Sequence, residues 1–214
     1  DDLVVVELSS FQLEQMTHSP QVGVVLNITP NHLDRHGTLD EYSAAKAHIL
    51  AYQTAADTAV LNREDPGAWG LKDIVKGSLV TFGLAHPAPG LAGVYVDADK
   101  IWYTDGREKI CLMSRDQVRL RGEHNLRNAL AACAVAVAAK WPAEAMRAGV
   151  EGFAGVAHRL EFVGERGGGS WYNDSIATAP ERTIAAIQAF TEPLVLLLGG
   201  RDKNLPWERL AGLI

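Results

Sequence analysis

Short apolar runs alternate with longer stretches of helical spacing in the first part of the chain. Residues 3–6 and 23–26 are continuous runs of β-branched and apolar residues, typical of strands buried on both faces of a parallel sheet. Between residues 38 and 53 the large residues recur every three or four positions, which indicates one face of a helix. Thr38 and Glu41 have the spacing of a capping box at the start of that helix.

The later sequence predicts further strands and helices and a change of pattern near residues 152–163. After that stretch a new alternation of strand and helix begins, so we place a domain boundary there and predict domains at 1–154 and 155–214. The predicted strands are 58–61, 79–82, 101–104 and 109–112 around the Asp105-Gly106 turn, then 160–163, 170–172 and 194–198. The predicted helices are 125–140, one from Pro142, and 180–190.

The composition is that of an ordinary folded protein. Of 214 residues 47% are hydrophobic and 21% are charged, the net charge is -6, and no basic run provides a surface for nucleic acid. Two isolated cysteines argue against a disulfide scaffold or a structural zinc site. No apolar run is long enough to span a bilayer and no signal peptide is visible, so we expect a cytoplasmic protein without membrane insertion.

Two predicted strand ends carry the first candidate chemistry. Glu7 ends the first run, and His32 lies in the polar stretch 27–35 after the second. Ligands of open α/β sheets bind beyond the carboxyl ends of strands, so these side chains are expected to lie close together. A carboxylate and an imidazole suit Mg²⁺ bound to substrate phosphates. The alternative is a pair of polar loop groups that face water.

Lys46 lies within the apolar stripe of the predicted helix. One interpretation is a lysine whose ammonium reaches water from the edge of the stripe. The other is a buried lysine, for which burial favours the neutral amine. A neutral amine reacts with CO₂ to give a carbamate, an anionic ligand that suits a metal beside Glu7 and His32.

Polar residues in the second half form further candidate sites. Asn125 and Asn128, one helical turn apart, have amides that suit an adenine edge, although Asn125 is also placed like an N-cap. Arg159, beside His158, suits a phosphate clamp, or else a salt bridge with Glu161 or another carboxylate.

Two polar turns follow the strands of the predicted second domain. Asp174, Ser175 and Thr178 come after strand 170–172, where Ser175 or Thr178 would alternatively cap the next helix. Lys203 lies in a glycine turn with a second cation, which suits a substrate carboxylate.

Taken in order along the chain, these stretches resemble the motifs of the Mur ligase family. They are ELSSFQLE at 7–14, NITPNHLDR at 27–35, YSAAK at 42–46, GEHNLRN at 122–128, HR at 158–159, NDS at 173–175 and GGRDK at 199–203. The resemblance implies that Glu7, His32 and carbamylated Lys46 form the catalytic centre and hold Mg²⁺ near ATP. It implies nucleotide contacts for Asn125, Asn128, His158, Arg159 and Asp174, and substrate contacts for Ser175, Thr178 and Lys203.

The resemblance also implies a fold and a reaction. Residues 1–154 correspond to a P-loop-type central ATPase domain, mostly parallel with a small antiparallel segment, which we expect to be truncated at its N-terminus. Residues 155–214 correspond to the start of a Rossmann-like, amino-acid-binding domain. The implied activity is an ADP-forming ligase, monomeric and cytoplasmic, that adds glutamate to UDP-N-acetylmuramoyl-L-alanine through an acyl phosphate in peptidoglycan synthesis.

Two departures from the family pattern keep alternatives open. The chain has no G-K-[ST] phosphate loop, so we expect it to be inactive in isolation, and a non-catalytic nucleotide-binding module is one alternative. Ile176 stands where the family pattern has lysine, which leaves a variant that adds L-glutamate open. A ligase similar to folylpolyglutamate synthase is the third alternative.

Overall fold

The computed structural model describes residues 3–29, 33–201 and 205–214, with the backbone alone for Leu33 and Asp34. Contacts within the chain divide it into two compact units. The first comprises Asp1–Gln117 and Arg127–Ala148, and the second comprises Val118–Leu126 and Gly149–Ile214. The boundary between folding domains at 154/155 stays a prediction.

A single six-stranded sheet forms the centre of the first unit. Its strands lie in the same order in the sheet as in the chain. The first four run parallel and the last two are antiparallel to their neighbours, which confirms the predicted mostly parallel sheet with an antiparallel segment. The strands are β1 (Val22–Val25), β2 (Thr58–Asn62), β3 (Ser78–Phe82), β4 (Gly93–Asp97), β5 (Lys100–Thr104) and β6 (Lys109–Ser114).

Among the described residues, six α-helices lie before residue 153. They are α1 (Ser10–Glu14), α2 (Leu33–His36), α3 (Leu39–Ala51), α4 (Pro66–Trp69), α5 (Glu123–Ala138) and α6 (Ala143–Gly152). The start of α3 follows the predicted capping box: Glu41 N–H donates to Thr38 Oγ1 at 3.2 Å, and Thr38 N–H donates to Glu41 Oε2 at 3.0 Å. These bonds satisfy backbone groups that the first helical turn leaves unpaired.

The core of the first unit forms where α3 covers the sheet. Leu50 of α3 and Ala59 and Leu61 of β2 are completely buried in one cluster, which Tyr42 also joins. Apolar side chains on one face of α3 therefore pack against the sheet, as the spacing of residues 38–53 predicts.

The second unit contains a β-hairpin and two short helices. The hairpin pairs β7 (Glu161–Arg166) with β8 (Gly169–Asn173), and the helices are α7 (Pro180–Ile187) and α8 (Glu208–Ala211). Gly167 and Gly168 between the strands have φ of 63° and 79°, a conformation that favours glycine. The predictions of strands at 160–163 and 170–172 and of a helix from residue 180 are confirmed.

Two predicted buried strands were wrong. Residues 3–6 and 194–198 have no strand structure and are exposed, up to 82% for Val5 and 92% for Val195. An apolar run reports only which environment a segment favours, whereas a strand also needs a neighbour to pair with its backbone groups. Among the described residues, neither run has such a neighbour.

The helices of the described ranges are all short relative to a bilayer. None of those helices has the length and apolar character needed to cross a membrane.

Candidate functional site

Lys46 lies half-buried in α3 above an aromatic ring. Its Nζ is 5.2 Å from the centroid of the Tyr42 ring, which belongs to the preceding helical turn and is 6% exposed. This is a cation–π contact. No described residue forms a hydrogen bond or an ion pair with the Lys46 amine.

A buried histidine connects Lys46 and its ring to the segment after Glu7. His36 Nε2 and Ser10 Oγ are joined by a hydrogen bond of 2.9 Å between two buried side chains. The His36 ring stacks on Phe11 with centroids 5.1 Å apart and meets the edge of Tyr42 at 5.3 Å. We call Ser10, Phe11, His36, Tyr42 and Lys46 the His36 cluster.

The His36 cluster packs α1, α2 and α3 together. Since α1 begins three residues after Glu7, the cluster ties the segment that carries Glu7 to the helix that carries Lys46. Sequence reasoning did not single out His36 or Ser10 as partners. The residues lie far apart in the chain, and neither has a spacing that predicts contact.

The described residues fit part of a Mg²⁺ site. Glu7 is exposed and offers a carboxylate, and Mg²⁺ in proteins is commonly held by one or two carboxylates with waters and substrate phosphates. Lys46 becomes an oxygen ligand only as a carbamate. His32, the third predicted ligand, lies outside the described residues. Within the described ranges, no group of three or more His, Cys, Asp or Glu side chains is arranged to hold a metal.

In the second unit, His158 and Asp174 are brought together by a hydrogen-bond network. Asn173 Nδ2 donates to His158 Nδ1 at 2.8 Å, and Leu160 N–H donates to Asp174 Oδ1 at 3.0 Å. His158 N–H donates to Glu161 Oε2 at 2.8 Å. With Asn173 as donor, the His158 ring proton is assigned to Nε2, which stays available to a ligand.

Arg159 does not form the salt bridge with Glu161 that was one of its two predicted roles. The Glu161 carboxylate binds the His158 backbone and receives a longer bond of 3.4 Å from Asn173. Arg159 is exposed, and no described carboxylate lies within ion-pair distance of it. Its guanidinium can therefore meet a phosphate.

His124 lies close to two of the predicted nucleotide contacts. Burial lowers the pKa of His124 below its ordinary value; the Asp174 carboxylate opposes this shift, and the Arg159 guanidinium adds to it. Gly122, with φ of 90°, leaves room for the His124 ring, since a Cβ there would lie 2.8 Å from His124 Cε1. His124 was not among the predicted site residues, although its motif was recognised.

The two predicted amides of α5 differ in exposure. Asn125 is 8% exposed and its Nδ2 donates to the Arg121 carbonyl at 2.7 Å, whereas Asn128 is exposed. Because α5 begins at Glu123, Asn125 lies inside the first turn and is not the N-cap. The capping alternative for Asn125 was therefore wrong.

An ion pair fixes the residue next to Asn128. Arg127 Nη1 donates to Glu64 Oε2 at 2.6 Å, and Ala85 N–H donates to the other carboxylate oxygen at 2.7 Å. Burial alone raises the pKa of Glu64, but the backbone donors and Arg127 outweigh it and lower that pKa below its ordinary range. This pair holds α5 to the end of β2 within the first unit.

Ser175 and Thr178 are both exposed, and neither caps a helix. The N-cap of α7 is Ala179, which makes no side-chain hydrogen bond, so the capping alternative for Ser175 and Thr178 was wrong. Ile176 is 37% exposed, and its carbonyl accepts a bond of 3.3 Å from Arg182 Nη1. Lys203 lies outside the described residues.

Comparison with known proteins places the chain among ligases. Residues 1–136 match the family described as the Mur ligase middle domain. The chain is 42% identical to the UDP-N-acetylmuramoylalanine–D-glutamate ligase of Symbiobacterium thermophilum, over 99% of this chain and 47% of that protein. The ligase of the same name from Pelotomaculum thermopropionicum is 43% identical over 99% of this chain and 46% of its own length. The chain thus spans about half the length of these curated relatives.

Solved structures share the fold at lower identity. MurF from Acinetobacter baumannii has a TM-score of 0.62 and 22% identity, covering 80% of this chain and 37% of that one. The UDP-N-acetylmuramate-alanine ligase MurC from Thermotoga maritima has a TM-score of 0.58 and 21% identity, covering 86% of this chain and 41% of that one.

Proposed function

Because the chain belongs to the Mur ligase family, we propose that the intact protein is an ADP-forming ligase that joins D-glutamate to UDP-N-acetylmuramoyl-L-alanine. The observation that carries this proposal is the 42% identity, over 99% of the chain, to a protein named for that reaction. We further propose that the protein acts in the cytoplasm as a monomer, in the synthesis of peptidoglycan.

The proposed reaction forms one amide bond at the expense of ATP. The alanine carboxylate attacks the γ-phosphorus of ATP, which gives an acyl phosphate and releases ADP. The glutamate amine then attacks the acyl carbon, loses a proton, and expels inorganic phosphate as the amide forms. Bound Mg²⁺ supplies charge neutralisation on the phosphates.

Glu7 and Lys46 are the proposed metal-holding residues of the first unit, with His32 beside them. The His36 cluster supports this role because it packs the segment after Glu7 against the helix of Lys46. The Lys46 amine has no carboxylate partner among the described residues, so its conversion to a carbamate breaks no ion pair with them.

The second unit supplies the proposed contacts with nucleotide and amino acid. The hydrogen bonds of Asn173 with His158 and of Leu160 N–H with Asp174 support a fixed nucleotide-contacting surface in this unit, to which Arg159 and Asn125 are proposed to contribute. Asn128, which belongs to the first unit, is a further proposed nucleotide contact. Ser175, Thr178 and Lys203 are the proposed contacts of the incoming amino acid. Exposure of both hydroxyls, neither of which caps α7, supports that assignment.

The test is an assay of the intact natural protein with ATP, Mg²⁺ and UDP-N-acetylmuramoyl-L-alanine. D-glutamate, L-glutamate or no amino acid is added in parallel, and phosphate release is measured with the mass of the product. We expect product with D-glutamate alone. If product forms with L-glutamate alone, L-glutamate replaces D-glutamate as the proposed substrate. Ile176, which stands where the family pattern has lysine, is the reason to test both. Activity only on a folate substrate, or no turnover on any of these, would overturn the proposal.

Carbamylation of Lys46 has its own test. Mass spectrometry of the intact protein at neutral pH should detect a labile CO₂ adduct on the peptide that contains Lys46, and Lys46→Arg should abolish it. An unmodified Lys46 in an active enzyme would contradict the assignment.

A further inference from the structure

Arg121 is held on three sides by side chains of the second unit. Its Nη1 donates to both carboxylate oxygens of Glu192, at 2.9 and 3.1 Å. Its Cζ lies 5.5 Å from the centroid of the Tyr172 ring and 5.1 Å from that of Phe190. The two rings meet edge to face at 4.9 Å. We call Arg121, Tyr172, Phe190 and Glu192 the Arg121 clamp.

The clamp restricts the Arg121 side chain, whereas the side chain of an exposed arginine is normally mobile. A guanidinium that is bound to a carboxylate and also lies over aromatic rings loses most of its rotamer freedom. The hydrogen bond with Glu192 raises the pKa of Arg121 above its ordinary value. Arg119, two residues earlier, is exposed and has no such partner among the described residues.

The backbone of the same residue binds Asn125. The Arg121 carbonyl accepts from Asn125 Nδ2 at 2.7 Å, and Asn125 is nearly completely buried. A side-chain amide can rotate by half a turn and exchange its donor and acceptor ends. A carbonyl partner accepts only from the Nδ2 end, so it selects one of these two orientations.

We propose that Arg121 is a positioning residue for an adenine nucleotide: the clamp fixes the carbonyl that orients the Asn125 amide. With one Nδ2 hydrogen committed to Arg121, the amide has one donor and the Oδ1 acceptor left for a ligand. That pair matches the adjacent acceptor and amino donor of an adenine edge. The inference rests on the proposed function, because it takes Asn125 as a nucleotide contact.

The clamp therefore contributes to selectivity as well as to affinity. Hypoxanthine has a carbonyl oxygen where adenine has its amino group, so a correctly oriented Asn125 amide favours ATP over ITP. If the clamp is removed, the carbonyl of residue 121 is no longer fixed and both amide orientations become accessible. Discrimination between the two bases then decreases.

The experiment measures dissociation constants of a non-hydrolysable ATP analogue and of its inosine counterpart by titration calorimetry on the intact protein. Arg121→Ala should weaken ATP-analogue binding about fivefold, because the Asn125 amide is no longer held in the orientation that matches adenine. Binding of the inosine analogue should change less, and kcat should stay within about twofold of the wild type. Arg121→Lys and Glu192→Gln should give smaller losses in the same direction, and Arg119→Ala is the matched control.

A double variant separates positioning from a merely structural role. If Arg121 acts through Asn125, Arg121→Ala should have no further effect on nucleotide affinity in an Asn125→Ala background. Additive losses, an unchanged ATP-to-ITP ratio, or an equal effect of Arg119→Ala would overturn the inference while the ligase proposal stands. If Arg121→Ala fails to fold, the ratio of ATP-analogue to ITP-analogue affinity in Glu192→Gln tests the inference instead. A wild-type protein that binds neither nucleotide would overturn both proposals.

Discussion

Each of the two units contains a cationic side chain over an aromatic ring, but the other contacts of the two cations differ. In the His36 cluster, Lys46 lies over the buried Tyr42 ring, and no described carboxylate pairs with its amine. In the Arg121 clamp, the guanidinium lies over half-buried Tyr172 and Phe190 and is also bound by Glu192. Packing holds the first cation, whereas a charge-assisted hydrogen bond holds the second.

This difference agrees with the proposed roles, a chemical one for Lys46 and a positioning one for Arg121. An arginine cannot lose its proton in a protein, so its ion pair with a carboxylate persists and holds the side chain in place. A lysine amine that contacts only a ring has no ion pair to break when it reacts, as is proposed for Lys46. The same contact with an aromatic ring therefore suits both a residue that reacts and a residue that holds others in place.

The largest effect on the free energy of unfolding is expected when the aromatic rings beneath the two cations are truncated. Tyr42→Ala should destabilise the intact protein by about 3–4 kcal/mol, because it removes a large buried side chain from the core of the first unit. Tyr172→Ala should cost less, since its ring is only half-buried. Urea denaturation of both variants measures the difference, and equal losses would contradict the contrast in packing.

A smaller effect is expected from His36. His36→Ala should destabilise the protein by about 1–3 kcal/mol, because it leaves the buried Ser10 hydroxyl without its partner and removes the ring stacked on Phe11. His18→Ala is the control, since that ring is exposed. A His36→Ala variant as stable as the control variant would show that the cluster does not hold α1 to α3.

The smallest effect is a pH dependence in the second unit. The pKa of His124 is lowered in the folded state, so the unfolded chain binds more protons near and below the ordinary value of about 6.5. The stability due to neutral His124 is present above that pH and is lost as the pH falls through it. In thermal unfolding between pH 5 and 8, His124→Gln should therefore lose less stability on acidification than the wild type. Identical slopes would contradict this assignment, and His18→Gln provides the control.

Local patterns predicted much of the fold. The α3 capping box and the β5–β6 hairpin depend on residues a few positions apart, and both formed where the spacing indicates. Residues 3–6 and 194–198 failed because strand formation depends on a partner elsewhere, which an apolar run does not specify.

The sequence predicted those candidate site residues that lie within contiguous motifs. The motifs located His158, Asp174 and Lys46, and the network that joins His158 to Asp174 follows from their places beside β7 and β8. Partners that are distant in sequence were missed, such as His36 for Ser10 and Glu192 for Arg121. No periodicity records such pairs, since they arise only when the elements pack.

The identical order of strands in sheet and chain has a consequence for folding kinetics. Each strand pairs with its successor, so no step of sheet assembly needs to close a loop around an already formed strand. The β4–β5 hairpin closes the shortest loop, at Ala98-Asp99, and β1 joins β2 across the longest connection. We expect the sheet to nucleate at its antiparallel end and to grow towards β1, whose amide hydrogens should then exchange fastest among the six strands.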